Sequence, residues 1–125
     1  GDQLASRVRG QLAFDPAKVV FHLNAAQRTG RITGTKLKLA LEGQPVLPAN
    51  VLDHLLADTA RIPESWKFDE AGNTRYIYFW GTIYRGHDGS LCVRCLCWCD
   101  GRWHWDSYCL TLGFDDQFPA ALLAS

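Results

Sequence analysis

Residues 91–118, LCVRCLCWCDGRWHWDSYCLTLGFDDQF, set an aromatic and aliphatic frame (Leu96, Trp98, Trp103, Trp105, Leu110) among residues of nearly every other chemical kind, including all five cysteines of the chain. Leu91 and Val93 are apolar at odd positions, Leu96 and Trp98 at even ones. A strand that keeps one face buried must therefore change phase near Arg94-Cys95, most simply through a β-bulge. With that shift Cys92, Cys95, Cys97 and Cys99 all face outward. Past an Asp100-Gly101 turn, Trp103 and Trp105 alternate with Arg102, His104 and Asp106, which puts the tryptophans on the core and their neighbours beside the cysteines. Between residues 107 and 118 periodicity stops apart from Leu110. That stretch is expected to be a long surface loop, followed by a buried terminal strand over residues 119–125.

Outward from this segment the order is α+β, with helical patterns in the first half and strands in the second. KVVFHL (18–23), β-branched and aromatic after Asp15-Pro16, reads as a strand. Thr33 or Thr35 can cap a short helix through Leu41, with Leu37, Ala40 and Leu41 on one face and Gly43 as its stop. Pro48 sits near the first turn of a second helix carrying Val51, Leu52, Leu55 and Leu56 at helical spacing, ended by Ile62-Pro63. A polar turn, residues 69–74, contains Gly72-Asn73. YIYFWGTIY (76–84) reads as a strand joined through the His87-Asp88-Gly89 turn to residues 91–98. Trp66, Trp80, Trp98, Trp103 and Trp105 are expected in or at the edge of the core.

Composition excludes several classes of function. With 125 residues, 47% hydrophobic and 21% charged, the chain can bury roughly two-thirds of the surface its unfolded form exposes. Thirteen basic side chains against 13 acidic ones leave no net field for phosphate backbones, so nucleic-acid binding is not expected. No run approaches the ~20 apolar residues of a spanning helix, so membrane insertion is not expected either. The N-terminal GDQLASRVRGQLAF lacks the apolar core of a secretion signal.

Cys92, Cys95, Cys97, Cys99 and Cys109 are odd in number and clustered, unlike a disulfide-framed secreted domain. They favour a reducing, intracellular setting, with display on a cell or virus surface as the other option. Zinc is the sharp alternative, because C-x2-C-x-C-x-C with His104 and Cys109 offers enough sulfur and nitrogen. On a regular strand, however, Cys95 and Cys99 stand about 13 Å apart. Four sulfurs around one zinc lie within about 4 Å of each other, so no metal and no cofactor are expected. Cys99, His104 and Asp106 could serve as nucleophile, base and orienter, but such a set within one hairpin arises readily by chance. Residues 30–36, GRITGTK, are one residue short of a phosphate-cradling loop, and neither H-E-x-x-H nor G-x-S-x-G occurs.

LPANVLDHLL (47–56), IPESWK (62–67), FWGTIYR (79–85), the W-x4-W-x-W spacing of Trp98, Trp103 and Trp105, and the closing PAALLAS (119–125) resemble the variable proteins of diversity-generating retroelements. The resemblance covers about residues 19–125. It implies one C-type-lectin-like ligand-binding domain over residues 1–125, with two helices in its first half and a twisted antiparallel sheet with long loops in its second. It also implies a hypervariable surface over about residues 92–118. In that family a reverse transcriptase copies a template with errors at adenines, so AAY codons scatter while codons without adenine stay fixed. Trp98, Trp103 and Trp105 then belong to the fixed scaffold with Leu110. Cys92, Cys95, Cys97, Cys99, His104, Asp106, Ser107, Tyr108, Cys109, Thr111, Leu112, Gly113, Phe114, Asp115, Asp116 and Phe118 are all reachable from AAY, whereas Gln117 needs another template codon. Outward Tyr108, Leu112, Phe114 and Phe118 flanked by Asp and His have the mix of a protein-recognition patch. The implied function is non-catalytic recognition of a macromolecule, a protein in preference to a sugar. The calcium-dependent sugar-binding lectins share a Glu-Pro-Asn or Gln-Pro-Asp loop and a Trp-Asn-Asp strand, where this chain has Gln44-Pro45-Val46 and Trp105-Asp106-Ser107. The alternative function is a small zinc or Cys/His enzyme module built on residues 92–109.

Overall fold

The first two helices begin where the chain supplies side-chain caps, Asn24 and Thr33. The computed structural model describes residues 14–124; the N-terminal GDQLASRVRGQLA and Ser125, and with them the absence of a secretion signal, lie outside the described residues. After a 3-10 turn (Pro16–Lys18) capped by Asp15, strand β1 runs Val19–His22. Helix α1 (Ala25–Thr29) has Asn24 as its cap: the Asn24 side chain accepts from the Ala26 amide, and Gln27 Oε1 accepts from the Asn24 amide. Hydrophobic periodicity misses this short helix; its N-x-x-Q capping box announces it. Strand β2 (Ile32–Thr33) leads into α2 (Gly34–Ala40), where Thr33 accepts from the Lys36 amide, Leu37 and Leu41 are buried, and Gly43 at φ +85 turns the chain away. Helix α3 (Ala49–Ala57) buries Ala49, Val51, Leu52 and Leu55. It stops at Ala57, short of Ile62-Pro63; a 3-10 turn, Thr59–Arg61, fills the gap, and a second, Glu64–Trp66, follows Pro63.

The second half supplies β3 (Ile77–Arg85), β4 (Leu91–Cys99), β5 (Arg102–Cys109), β6 (Gly113–Phe114) and β7 (Ala120–Leu123). The fold is therefore mixed α+β. Five strands form a sheet in the order β1-β7-β3-β4-β5, antiparallel except where β7 runs parallel to β3. β2 and β6 pair separately, Ile32 opposite Phe114. The first and last of these strands lie side by side, Val19 opposite Leu123.

Both faces of the sheet are covered, and this replaces the expected bulge in β4. Register between β4 and β5 is unbroken from Cys92–Cys109 to Cys99–Arg102. The irregularity lies in β3, between Tyr78 and Ile83. There Gly81 passes so close to the Leu47–Pro48 backbone that an added Cβ would stand 2.8 Å from Leu47 C and from the Pro48 Cα and N. Ile77, Phe79 and Leu96 pack on one face against Leu52 and Leu55 of α3. Tyr78, Trp80, Val93 and Cys95 pack on the other with Leu37, Leu110 and Phe114. The apolar phase of β4 shifts because a second core begins, not because the strand kinks.

Several expected surface residues are thereby moved inside. Cys95 (1% exposed) and Cys97 (4%) are buried in the sheet, and Phe114 (0%) is a plug between Tyr78, Trp80, Tyr108 and Phe118. Trp105, expected in the core, is 53% exposed, because β5 is the edge strand of the sheet. Arg94, paired with Asp53 at 3.0 Å, lies 4.2 Å from its ring centroid instead. Trp98 and Trp103 are half-buried in an edge-to-face pair, with Lys67 Nζ 3.6 Å from the Trp98 centroid. Trp66, Trp80 and Leu110 are buried as expected. Residues 107–118 are not one open loop: β5 continues to Cys109 and β6 interrupts the rest.

Urea unfolding should separate these positions. Phe114→Ala is expected to cost about 3–5 kcal/mol through the cavity it opens, and Gly81→Ala about 1–3 kcal/mol through overpacking. Trp105→Ala should cost no more than about 1 kcal/mol, the scale of an exposed cation–π contact. Equal losses at Phe114 and Trp105 would contradict the placement of both.

Candidate functional site

The hydrogen bonds that tie the segment between β5 and β7 to the rest of the chain are made mainly to its own carbonyl oxygens. The amides of Thr35 and Gly34 donate to Leu110 O (3.0 Å) and Leu112 O (3.1 Å). Gln27, 1% exposed, donates through Nε2 to Asp115 O (3.0 Å) and Phe118 O (2.8 Å). The amides of Tyr76 and Tyr78 donate to Gln117 O (2.8 Å) and Pro119 O (2.9 Å). Every residue type carries a carbonyl, so this attachment specifies the path of the segment without specifying its side chains. Three side chains add to it: Leu110 and Phe114 point into the core, and Gln117 Nε2 reaches Thr74 O (3.0 Å).

Between this segment and the even-numbered residues of β5 lies an open cavity of about 430 Å³. Cys95, Asp106, Ser107, Tyr108, Gly113, Asp115, Gln117 and Phe118 line it together with Arg31, Tyr76 and Tyr78. Phe118 is held edge-on by Tyr76 and Tyr108, at 5.3 and 5.1 Å between centroids. Asp115 Oδ1 accepts from the Gln117 amide, and Gln117 Nε2 donates to Thr74 O. Burial, then the Cys95 thiol, pushes the Tyr78 hydroxyl far up, and burial also raises Tyr76, so both phenols stay neutral donors at any physiological pH. Arg31 was no part of the sequence-based site. It reaches the cavity because its side chain lies across Gly113, 3.1 Å from where a Cβ would stand there.

Other expected site residues are dispersed. Thr111, Leu112 and Asp116 are exposed on the outer side of the segment, with Leu112 44% exposed. Cys92 and Cys109 are half-buried at the far end of the β4–β5 hairpin, and Cys99 and His104 are half-buried near its turn. His104 Nε2 lies 3.0 Å from the Cys99 carbonyl oxygen, a backbone contact in place of a thiol–imidazole pair. The Cys95 thiol and then burial hold Cys97 well above the usual thiol range, and burial followed by the Cys97 thiol pushes Cys99 up to about 11. These thiols are poor nucleophiles at neutral pH. Among the described residues no three His, Cys, Asp or Glu side chains converge as metal ligands would. No helix among them is long and apolar enough to cross a membrane.

Comparison with known proteins finds no matching family model, no matching curated protein and no matching solved structure.

Thiol labelling checks the cysteine positions. Without denaturant, a maleimide should modify Cys92, Cys99 and Cys109 and reach Cys95 and Cys97 only on unfolding. Modification of Cys99 should accelerate as pH rises toward about 11, because its raised value keeps it protonated below that. Rapid native labelling of Cys95 or Cys97 would contradict the two-sided core.

Proposed function

We propose that this chain is a C-type-lectin-like, non-catalytic recognition domain whose ligand surface is residues 106–118, the end of β5 and the segment that follows it, diversified by a retroelement. The single observation that carries the reading is the anchoring of that segment through carbonyls. Side chains can change there while the path of the chain stays fixed. Cys95, Asp106, Ser107, Tyr108, Gly113, Asp115 and Phe118, all reachable from AAY codons, gather around one cavity, and the paired first and last strands suit a lectin-like frame. Tyr108 and Phe118 offer aromatic area, Asp106, Asp115, Gln117 and Arg31 offer directed polar contacts, and this combination suits a protein ligand better than a sugar. The proposed surface omits Cys95, Cys97 and Phe114, whose side chains fill the core; variation there must respect volume.

The test is genetic. The DNA encoding residues 91–118 should have a near-copy close by, differing almost wholly where the copy carries adenine, with a reverse-transcriptase gene beside it. Related isolates should differ most at Asp106, Ser107, Tyr108, Thr111, Leu112, Asp115 and Asp116, and keep Trp98, Trp103, Trp105 and Leu110. A locus without such a copy, or variation concentrated on the tryptophans, would remove the diversification and leave a recognition domain of fixed specificity.

A further inference from the structure

Cys92 and Cys109 face each other as register partners across β4 and β5, both half-buried and free, with their sulfurs 3.9 Å apart. The type of ladder position decides whether they can join. The Leu110 amide donates to the Leu91 carbonyl at 3.0 Å, so that neighbouring pair is a hydrogen-bonded one and Cys92–Cys109, the next along, is a non-hydrogen-bonded one. Such partners have Cα atoms about 4.5 Å apart and side chains at their closest, inside the range of about 4.4–6.8 Å that a disulfide spans. Rotation about Cα–Cβ is enough to close the remaining gap.

The other close thiols are worse placed. Cys97 and Cys99 have sulfurs 3.6 Å apart, but they are alternate residues of one strand. Their Cα atoms are about 6.6 Å apart with Cβ bonds parallel, at the far limit for a disulfide, and Cys97 would have to leave the core. Ser90, by contrast, leaves the first pair open at the turn, with its hydroxyl 3.8 Å from Cys109 Sγ and its carbonyl 4.0 Å from Cys92 Sγ.

We propose that Cys92 and Cys109 are a specific oxidation site that closes to a cross-strand disulfide on meeting a low-molecular-weight disulfide such as oxidised glutathione. One protein thiolate attacks the glutathione disulfide and releases one glutathione thiolate. The partner cysteine, deprotonated, then attacks the protein sulfur of the mixed disulfide and releases the second. Two protein thiols thus lose two electrons and two protons, and the glutathione disulfide gains them and becomes two glutathione thiols. The bond forms where β5 passes into the segment that covers the sheet, so the oxidised chain holds the entry to that segment more tightly than the reduced one. This holds whether or not the surface is diversified.

The protein should be incubated under native conditions with oxidised glutathione, quenched with an alkylating agent, and mapped by peptide mass spectrometry. The expected product is one Cys92–Cys109 cross-link with the mass of two hydrogens lost, and a melting temperature raised by about 10 °C that dithiothreitol reverses. Cys109→Ser should instead retain one glutathione on Cys92 with no such rise. In the unsubstituted protein, a link between any other pair, stable glutathionylation of Cys92 or Cys109 without a link, or no reaction would each overturn the proposal.

Discussion

Everything distinctive about this molecule depends on how residues 110–118 are held to the sheet. A covering segment must satisfy its buried polar groups, and here the donors come from elsewhere: Gln27 Nε2 and the amides of Gly34, Thr35, Tyr76 and Tyr78. Gln27 can do this because the α1 capping box already fixes its side-chain oxygen on the Asn24 amide. Gly34 can do it because it lacks a Cβ, which would otherwise meet Leu110 Cα and Phe114 Cε1 at 2.7 Å. Phe114 then seals the apolar side. Two helix starts, Leu110 and one aromatic plug thus fix a backbone most of whose other side chains face solvent or the cavity.

Much of the frame was legible in the sequence, because it is written in local terms. Thr33 and Gly43 mark α2, the aromatic and β-branched run of residues 76–84 marks β3, and the turns at His87-Asp88-Gly89 and Asp100-Gly101 set the two hairpins. Where the reading went astray, it assumed a sheet with one dry face. Leu91 and Val93 against Leu96 and Trp98 look like a phase error under that assumption. With Phe114 above Cys95 and α3 below Leu96, the same residues are what a strand buried on both faces requires. Which face a β5 tryptophan sees is legible from alternation; that Trp105 sits at an uncovered edge depends on strand order, which pairwise spacing does not encode.

The candidate site was half legible for the same reason. Asp106, Ser107, Tyr108, Gly113, Asp115, Gln117 and Phe118 do gather around one cavity. Cys95 lines its floor, while Cys97 and Phe114 are core, because proximity in the segment says nothing about which side of it faces inward. Arg31, Tyr76 and Tyr78 join from distant positions through β2–β6 pairing and the β3–β4 register, contacts that only the folded chain brings about.

The claim that carbonyls rather than side chains hold the segment is open to one direct comparison, by urea unfolding of two variants. Thr111→Arg, Leu112→Asn and Asp116→Tyr together replace three exposed side chains and should change the unfolding free energy by no more than about 1 kcal/mol. Gln27→Leu keeps a similar volume but strands two part-buried carbonyls and the Asn24 amide, and should cost about 2–4 kcal/mol. A triple variant that loses as much as Gln27→Leu, or a Gln27→Leu that loses almost nothing, would contradict the account.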